Sequence, residues 1–174
     1  MGQRIAAIIT KGQVDVPESI VHFAQHNLTI IVLDFGESNV SGLIEAALEF
    51  DQFDSFINHL KETDFMVSDD EGGYYRKEKW VFLVELIESL ELKSWFIEFY
   101  SEWGDRPSNH LFMPIIDNNI IKESCIHMWN EDDVDYTLIS STKLRMGLTL
   151  NWFANENRYF SYEHAKRDYK LRKL

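Results

Sequence analysis

The sequence holds a single cysteine, Cys125. It therefore carries no internal disulfide framework and no zinc site built from thiolates alone. Basic residues are scarce: 17 Lys and Arg stand against 29 Asp and Glu, a net charge of −12. Proteins that bind nucleic acid or anionic membranes need basic surface to release counterions, so neither partner is expected. No apolar run approaches the roughly 20 residues of a membrane span. The run Trp80–Val84 is ended by Glu85. The opening residues Met1-Gly2-Gln3-Arg4 lead into only a short apolar stretch, Ile5–Ile9, where a signal peptide needs a longer one. Ala6 occupies the position where myristoylation requires Ser or Thr. A reducing cytoplasm is the expected compartment. The glycine-bearing signatures of nucleotide and hydrolase sites (GxGxxG, the P-loop, GxSxG) are absent as well.

What is present is core material. Hydrophobic residues make up 45% of the chain and charged residues 26%, which is the balance of a folded globular protein rather than a disordered one. A length of 174 residues fits one domain over 1–174. Asp69-Asp70-Glu71-Gly72-Gly73 marks a loop at which that domain could divide into 1–68 and 74–174. The acidity is spread through the body. Only residues 151–174 are basic, with 6 Lys and Arg against 3 Asp and Glu. The tail Lys166–Lys173 reads as a last helix or frayed end lying against an acidic body, rather than as an arm for nucleic acid.

The apolar, β-branched run Arg4–Thr10 predicts a buried strand, and Leu28–Leu33 a second. Between them Pro17 suits the first turn of a helix that places Ile20, Phe23 and Ala24 on one face. Residues 41–62 admit two readings. In one, a single helix capped by Ser41 carries Leu43, Ala46, Phe50, Phe53, Ile57 and Leu60 inward. In the other, Leu43–Phe50 is a strand, Asp51 caps a shorter helix, and Phe65–Ser68 begins a further strand. Beyond the divide, Glu78–Leu92 predicts a helix with Trp80, Leu83, Val84, Ile87 and Leu90 inside. Strands are expected at Trp95–Tyr100 and Leu111–Ile116, with Pro114 pushing the latter toward a sheet edge. The clearest alternation is Lys143–Trp152, closed by Asn155-Glu156-Asn157 into a hairpin with Arg158–Tyr162. The fold class is α+β: an N-terminal half containing a βαβ unit, then a helix and an antiparallel β-meander.

Under the second reading the order over 3–68 is βαββαβ. With the strand Ile5–Ile9, the turn Lys11-Gly12 and the ending Leu60–Val67, this stretch resembles a ferredoxin-like module of the ACT type. The resemblance implies a small regulatory domain that senses an amino acid. Only Gly12 carries over, as a backbone position. Thr10 and Lys11 stand where such modules place an acidic or amide residue.

Candidate sites are few. Cys125 and His127 share a face if they lie on a strand, but Ile126, Met128 and Trp129 surround them with apolar groups, so a structural cysteine is expected rather than a nucleophile. His22 and His26 have the i, i+4 spacing of paired metal ligands, yet Phe23-Ala24-Gln25 supplies no further ligand. The acidic run Glu131–Asp135 lacks the central glycine and final glutamate of a calcium loop. No metal, cofactor or catalytic group is therefore assigned. Two carboxylate clusters remain. One is Asp69, Asp70 and Glu71. The other is Glu131, Asp132, Asp133 and Asp135, preceded by Trp129. Such clusters can be solvated loops, or they can steer a basic partner while aromatic groups supply anchors. Small acidic chains without catalytic motifs resemble the bacterial immunity proteins that accompany toxins. The resemblance is one of size, charge and missing motifs. It implies a non-enzymatic protein that masks the substrate cleft of a basic toxin, such as a nuclease. The residues of the second cluster are then the first contacts, and those of the first cluster the next.

Overall fold

A computed structural model describes residues 4–63, 78–103, 106–128, 135–148 and 161–173. Strand β1 (Arg4–Lys11) is buried at six consecutive positions. Such an unbroken run marks a strand covered on both faces rather than on one. Strand β3 (Leu28–Leu33) is buried throughout for the same reason and pairs with β1 antiparallel.

The helix expected from Pro17 is not formed. Residues 22–25 are instead a short strand, β2 (His22–Gln25), whose Phe23 lies opposite Ile30. His26 and Asn27 join β2 to β3 with φ of 47° and 63°. Two successive residues at positive φ make the two-residue hairpin turn whose twist matches that of the strands. Four residues are too few to display alternation, and His-Asn is a muted form of the usual Asn-Gly signal. The order over 4–63 is thus three strands followed by two helices, not βαββαβ. Gly12, at φ 86°, ends β1 and donates its N–H to the Asn27 carbonyl at 2.7 Å.

Residues 41–62 follow neither expected scheme. Helix α1 (Glu37–Leu48) starts after Gly36, and α2 (Phe53–Glu62) starts after Gln52. Ser41 lies inside α1 and Asp51 in the break between the helices, so neither is a cap. Leu43 and Ala47 of α1, and Phe56, Ile57 and Leu60 of α2, all point into one core. The inward spacing therefore runs on through the break. The strand expected at 65–68 lies outside the described residues.

Helix α3 (Glu78–Ser89) buries Trp80, Leu83, Val84 and Ile87, as the spacing predicts. It ends in a left-handed cap: Leu92 N–H reaches the Ile87 carbonyl, and Glu91 N–H that of Glu88. Glu91 holds φ 51° there. A side chain at that conformation is strained, and Gly is the favoured residue. Replacing the exposed Glu91 by Gly is expected to stabilise the protein by about 0.5–1 kcal/mol, read as a higher urea midpoint at unchanged slope.

Strands β4 (Trp95–Trp103) and β5 (Arg106–Ile116) form the longest pairing. A second two-residue turn, Asp117-Asn118 at φ 48° and 57°, leads to β6 (Asn119–Ile120). A single 3₁₀ turn at Lys122–Ser124 then leads to β7 (Ile126–Met128), which pairs with β5 at His110–Phe112. The Pro114 carbonyl accepts from Ile121, so on that side of β5 the proline nitrogen faces the gap between β6 and β7. Its missing donor interrupts no ladder there.

The strongest strand expectation is overturned. Residues 136–145 form helix α4 (Tyr136–Arg145), and Lys143, Leu144 and Arg145 are its last turn. Asp135 caps it by accepting from Leu138 N–H at 3.0 Å. Gly147, at φ 74°, terminates it: Leu148 N–H bonds the Lys143 carbonyl, and Gly147 N–H that of Leu144. The alternation Leu144, Met146, Leu148 straddles this helix end and its exit. The remainder of that hairpin, 149–160, lies outside the described residues. Tyr162 opens helix α5 (Tyr162–Leu171), capped by Ser161, so the basic tail is a helix.

Among the described residues, the strands form one antiparallel sheet in the order β2-β3-β1-β4-β5, with β6 and β7 both beyond β5. The class is α+β. Side chains alternate across the sheet. Ile8, Ile31, Ile97, Phe99 and Met113 point to one face, where α1, α2 and α3 pack. Ile9, Ile30, Val32, Phe96 and Phe112 point to the other, which α5 covers, with Ile139 of α4 in the same cluster. No helix among the described residues is long and apolar enough to cross a membrane.

Candidate functional site

The second face of the sheet is not wholly apolar. Along β4 the alternation that points Phe96 and Tyr100 to this face also places Glu98 there. Ala7 stands opposite Glu98 on β1 and Phe112 on β5. His110 of β5 pairs with Tyr100 of β4. Glu98 is completely buried and His110 nearly so. A bare carboxylate in such a place would be costly, and a buried charge persists only when paired and hydrogen-bonded. Helix α4 supplies the partner. Lys143 extends its ammonium to both oxygens of Glu98, at 3.0 and 2.9 Å. The same nitrogen sits 5.0 Å from the centroid of Phe96 and 5.7 Å from that of Phe112. The cation thus meets two carboxylate oxygens and two aromatic rings. His110 Nε2 bonds the Glu98 oxygen Oε1, and the ring nitrogen must be the donor because a carboxylate only accepts.

Burial by itself would raise the Glu98 pKa, and it is the largest single influence. The charges of Lys143 and His110, with their hydrogen bonds, outweigh it and hold the carboxyl at about 2, below its ordinary 4.5. Glu98 is therefore an anion in the folded protein at neutral pH, fixed by contacts from a neighbouring strand and a helix. A second tie, Thr142 Oγ1 to Ser124 Oγ at 3.0 Å, fastens α4 to the 3₁₀ turn. Among the described residues no group of three or more His, Cys, Asp or Glu side chains is placed to hold a metal ion. The network clamps α4 to the sheet and leaves every charge of Glu98 engaged within the chain.

The clamp matters because of what α4 follows. Residues 129–134 connect β7 to α4, and both flanking elements are anchored to β4 or β5. Trp129, Glu131, Asp132 and Asp133 of the expected docking cluster fall within that connection and lie outside the described residues, as do Asp69, Asp70 and Glu71. Asp135 is the one member that is described. Its carboxylate caps α4, and the neighbouring Tyr136 ring lies 5.7 Å from that of His110. One end of the acidic segment is thus fixed to the clamp.

The other singled-out residues take structural positions. Cys125 is half-buried. Its thiol donates to the Ile121 carbonyl at 3.6 Å and is pushed up to about 12, by burial first and the Glu123 charge second. Thiolate is the reactive species, so iodoacetamide at pH 8 is expected to modify native Cys125 at least tenfold more slowly than the urea-unfolded chain. Equal rates would contradict the buried thiol. His127 turns to α1, where Nε2 lies 2.5 Å from Ser41 Oγ and 3.4 Å from Glu45 Oε1. A hydrolytic relay sets its hydroxyl and its acid on opposite ring nitrogens. Here both oxygens face the same one, and the trio ties β7 to α1. His22 lies on β2 and His26 in the turn, so the helical spacing that would have brought them to one metal does not exist. His22 Nδ1 instead meets the Ile20 carbonyl at 2.8 Å and the Tyr169 hydroxyl at 3.1 Å.

Sequence reasoning missed the Glu98–His110–Lys143 network. Its one visible trace is Glu98 itself, a lone acid in the run Trp95–Tyr100. Compared with family models, curated proteins and solved structures, the chain matches none.

Proposed function

We propose that this chain is a non-catalytic acidic binding protein that neutralises a basic protein partner. The relation would be that of an immunity protein to a toxin, and it would operate in a reducing cytoplasm where Cys125 stays a thiol. The observation that carries the reading is that Asp135, the last carboxylate of the acidic run, caps a helix held to the sheet by the buried Lys143–Glu98 pair. In sequence, Trp129-Asn130-Glu131-Asp132-Asp133-Val134 leads directly to that cap, and Lys143 lies in the last turn of the same helix. The net charge of −12 adds long-range attraction to any basic partner and speeds encounter.

A basic nuclease cleft is the partner chemistry this surface suits, because it is built to receive phosphates and carboxylates can occupy the same positions. Affinity capture at low salt from the native cell lysate, followed by salt elution and mass spectrometry, tests the reading. The expected result is one dominant basic protein recovered at a 1:1 ratio and lost from a charge-reversed bait. Recovery of an acidic protein, or of none, would contradict it.

A further inference from the structure

The two helical layers differ in charge. On the described side chains of α1–α3, the exposed charged groups are Glu45, Asp54, Glu62, Glu85 and Glu88 against Lys61 alone. On the other side of the sheet, the outer stripe of α5 carries Lys166, Arg167 and Lys170 against Glu163, around a shallow depression of 300 Å³. The charge segregates across the sheet, although the chain as a whole is strongly acidic.

Each layer also exposes apolar groups beside its charges. On α3, Val81 and Phe82 are 45% and 41% exposed, and Glu85 and Glu88 follow on the same helical stripe, where Glu88 also pairs with Lys61 of α2 at 2.5 Å. On α5, Leu171 is 61% exposed and shares its stripe with Arg167 and Lys170. Spacings of three and four residues align each set along one face. The α3 stripe is thus acidic and apolar, and the α5 stripe basic and apolar. Because the two helices pack on opposite faces of the sheet, these stripes cannot meet within one chain.

We propose that the α3 stripe of one copy docks on the α5 stripe of a second copy. Val81 and Phe82 meet Leu171, while Arg167 and Lys170 meet Glu85 and Glu88. The contact joins different surfaces of the two copies, so it is heterologous and propagates as a chain unless it closes into a ring. One helix against one helix buries less than the roughly 1,000 Å² of a stable interface, so association is weak and concentration-dependent. Net repulsion between acidic copies opposes it. At physiological ionic strength the screening length is about 8 Å, which damps that repulsion more than it damps pairs in contact.

Sedimentation of the full chain across a concentration series is the test. The weight-average mass is expected to rise above 20.5 kDa with concentration in physiological salt. Two variants, Arg167→Glu with Lys170→Glu and Glu85→Lys with Glu88→Lys, should each remain monomeric alone. Their mixture should associate again, because each then offers the complement of the other. Circular dichroism identifies a variant that fails to fold, and the charge-neutral pair Phe82→Ser and Leu171→Ser then serves in its place, with loss of association expected. A wild-type chain that stays monomeric at all concentrations overturns the proposal. So does a mixture that fails to associate, or an α5 stripe whose reversal abolishes binding to an acidic protein but leaves the mass of the chain unchanged.

Discussion

Replacing Lys143 by Met is expected to destabilise the protein by about 3–5 kcal/mol, because it leaves the Glu98 carboxylate buried without its cation. The side chain of Met is close in length to that of Lys and keeps contact with Phe96 and Phe112, so the loss reports charge rather than a cavity. A second substitution separates the two. With Glu98→Leu added, no buried anion remains, and most of the stability should return. Chemical denaturation of the wild type, the single variant and the double variant gives the comparison directly. If Lys143→Met costs less than about 1 kcal/mol, the pair is not the clamp described above, since that is the scale of an exposed ion pair. In the single variant Glu98 loses the Lys143 charge that holds its carboxyl low, so protonation of Glu98 can relieve part of the loss. The variant should therefore have a different pH profile from the wild type, not merely a lower plateau.

The wild-type protein is expected to lose about 3 kcal/mol of stability in acid through Glu98 alone. The carboxyl titrates at about 2 when folded and at 4.5 in its ordinary state. A depressed folded value means that the unfolded chain binds the proton more readily. The contribution is complete above about 4.5 and disappears as pH falls from there toward about 2. Because Glu98 is fully buried, solvent does not screen this coupling. Urea midpoints measured from pH 6 down to pH 2 should fall steeply below pH 4.5. In the Glu98→Leu, Lys143→Met double variant that slope should be visibly shallower. Identical acid limbs in the two proteins would remove Glu98 from the account.

Elements with a long apolar pattern, one-sided in a helix or unbroken in a strand covered on both faces, were legible in the sequence. Helix α3 presented Trp80, Leu83, Val84 and Ile87 at helical spacing, and β1 and β3 appeared as unbroken β-branched runs. In the segment Lys143–Trp152, alternation over five apolar positions mimics a strand and masks the punctuation that precedes and interrupts it. Asp135 and Gly147 bracket 136–146 as a cap and a left-handed stop, and that bracketing identifies a helix regardless of the alternation. The β2–β3 turn was hidden because His26 and Asn27 adopt positive φ without a glycine to announce it. The ion pair could not be read at all. Glu98 and Lys143 are 45 residues apart, and only the packing of α4 onto the second sheet face brings them together. Of the docking residues, Asp135 resolved into a helix cap, a role that its position before Tyr136-Thr137-Leu138 already allowed.

The central claim is that the carboxylates beside α4 meet a cationic protein. Stopped-flow association between the chain and its captured partner tests it most directly, with wild type compared with the triple reversal Glu131→Lys, Asp132→Lys, Asp133→Lys across a range of salt. The account predicts an association rate lowered by about 10- to 100-fold at low salt and a flatter dependence on ionic strength. An unchanged rate with an unchanged salt slope would place the contact elsewhere on the molecule and contradict it.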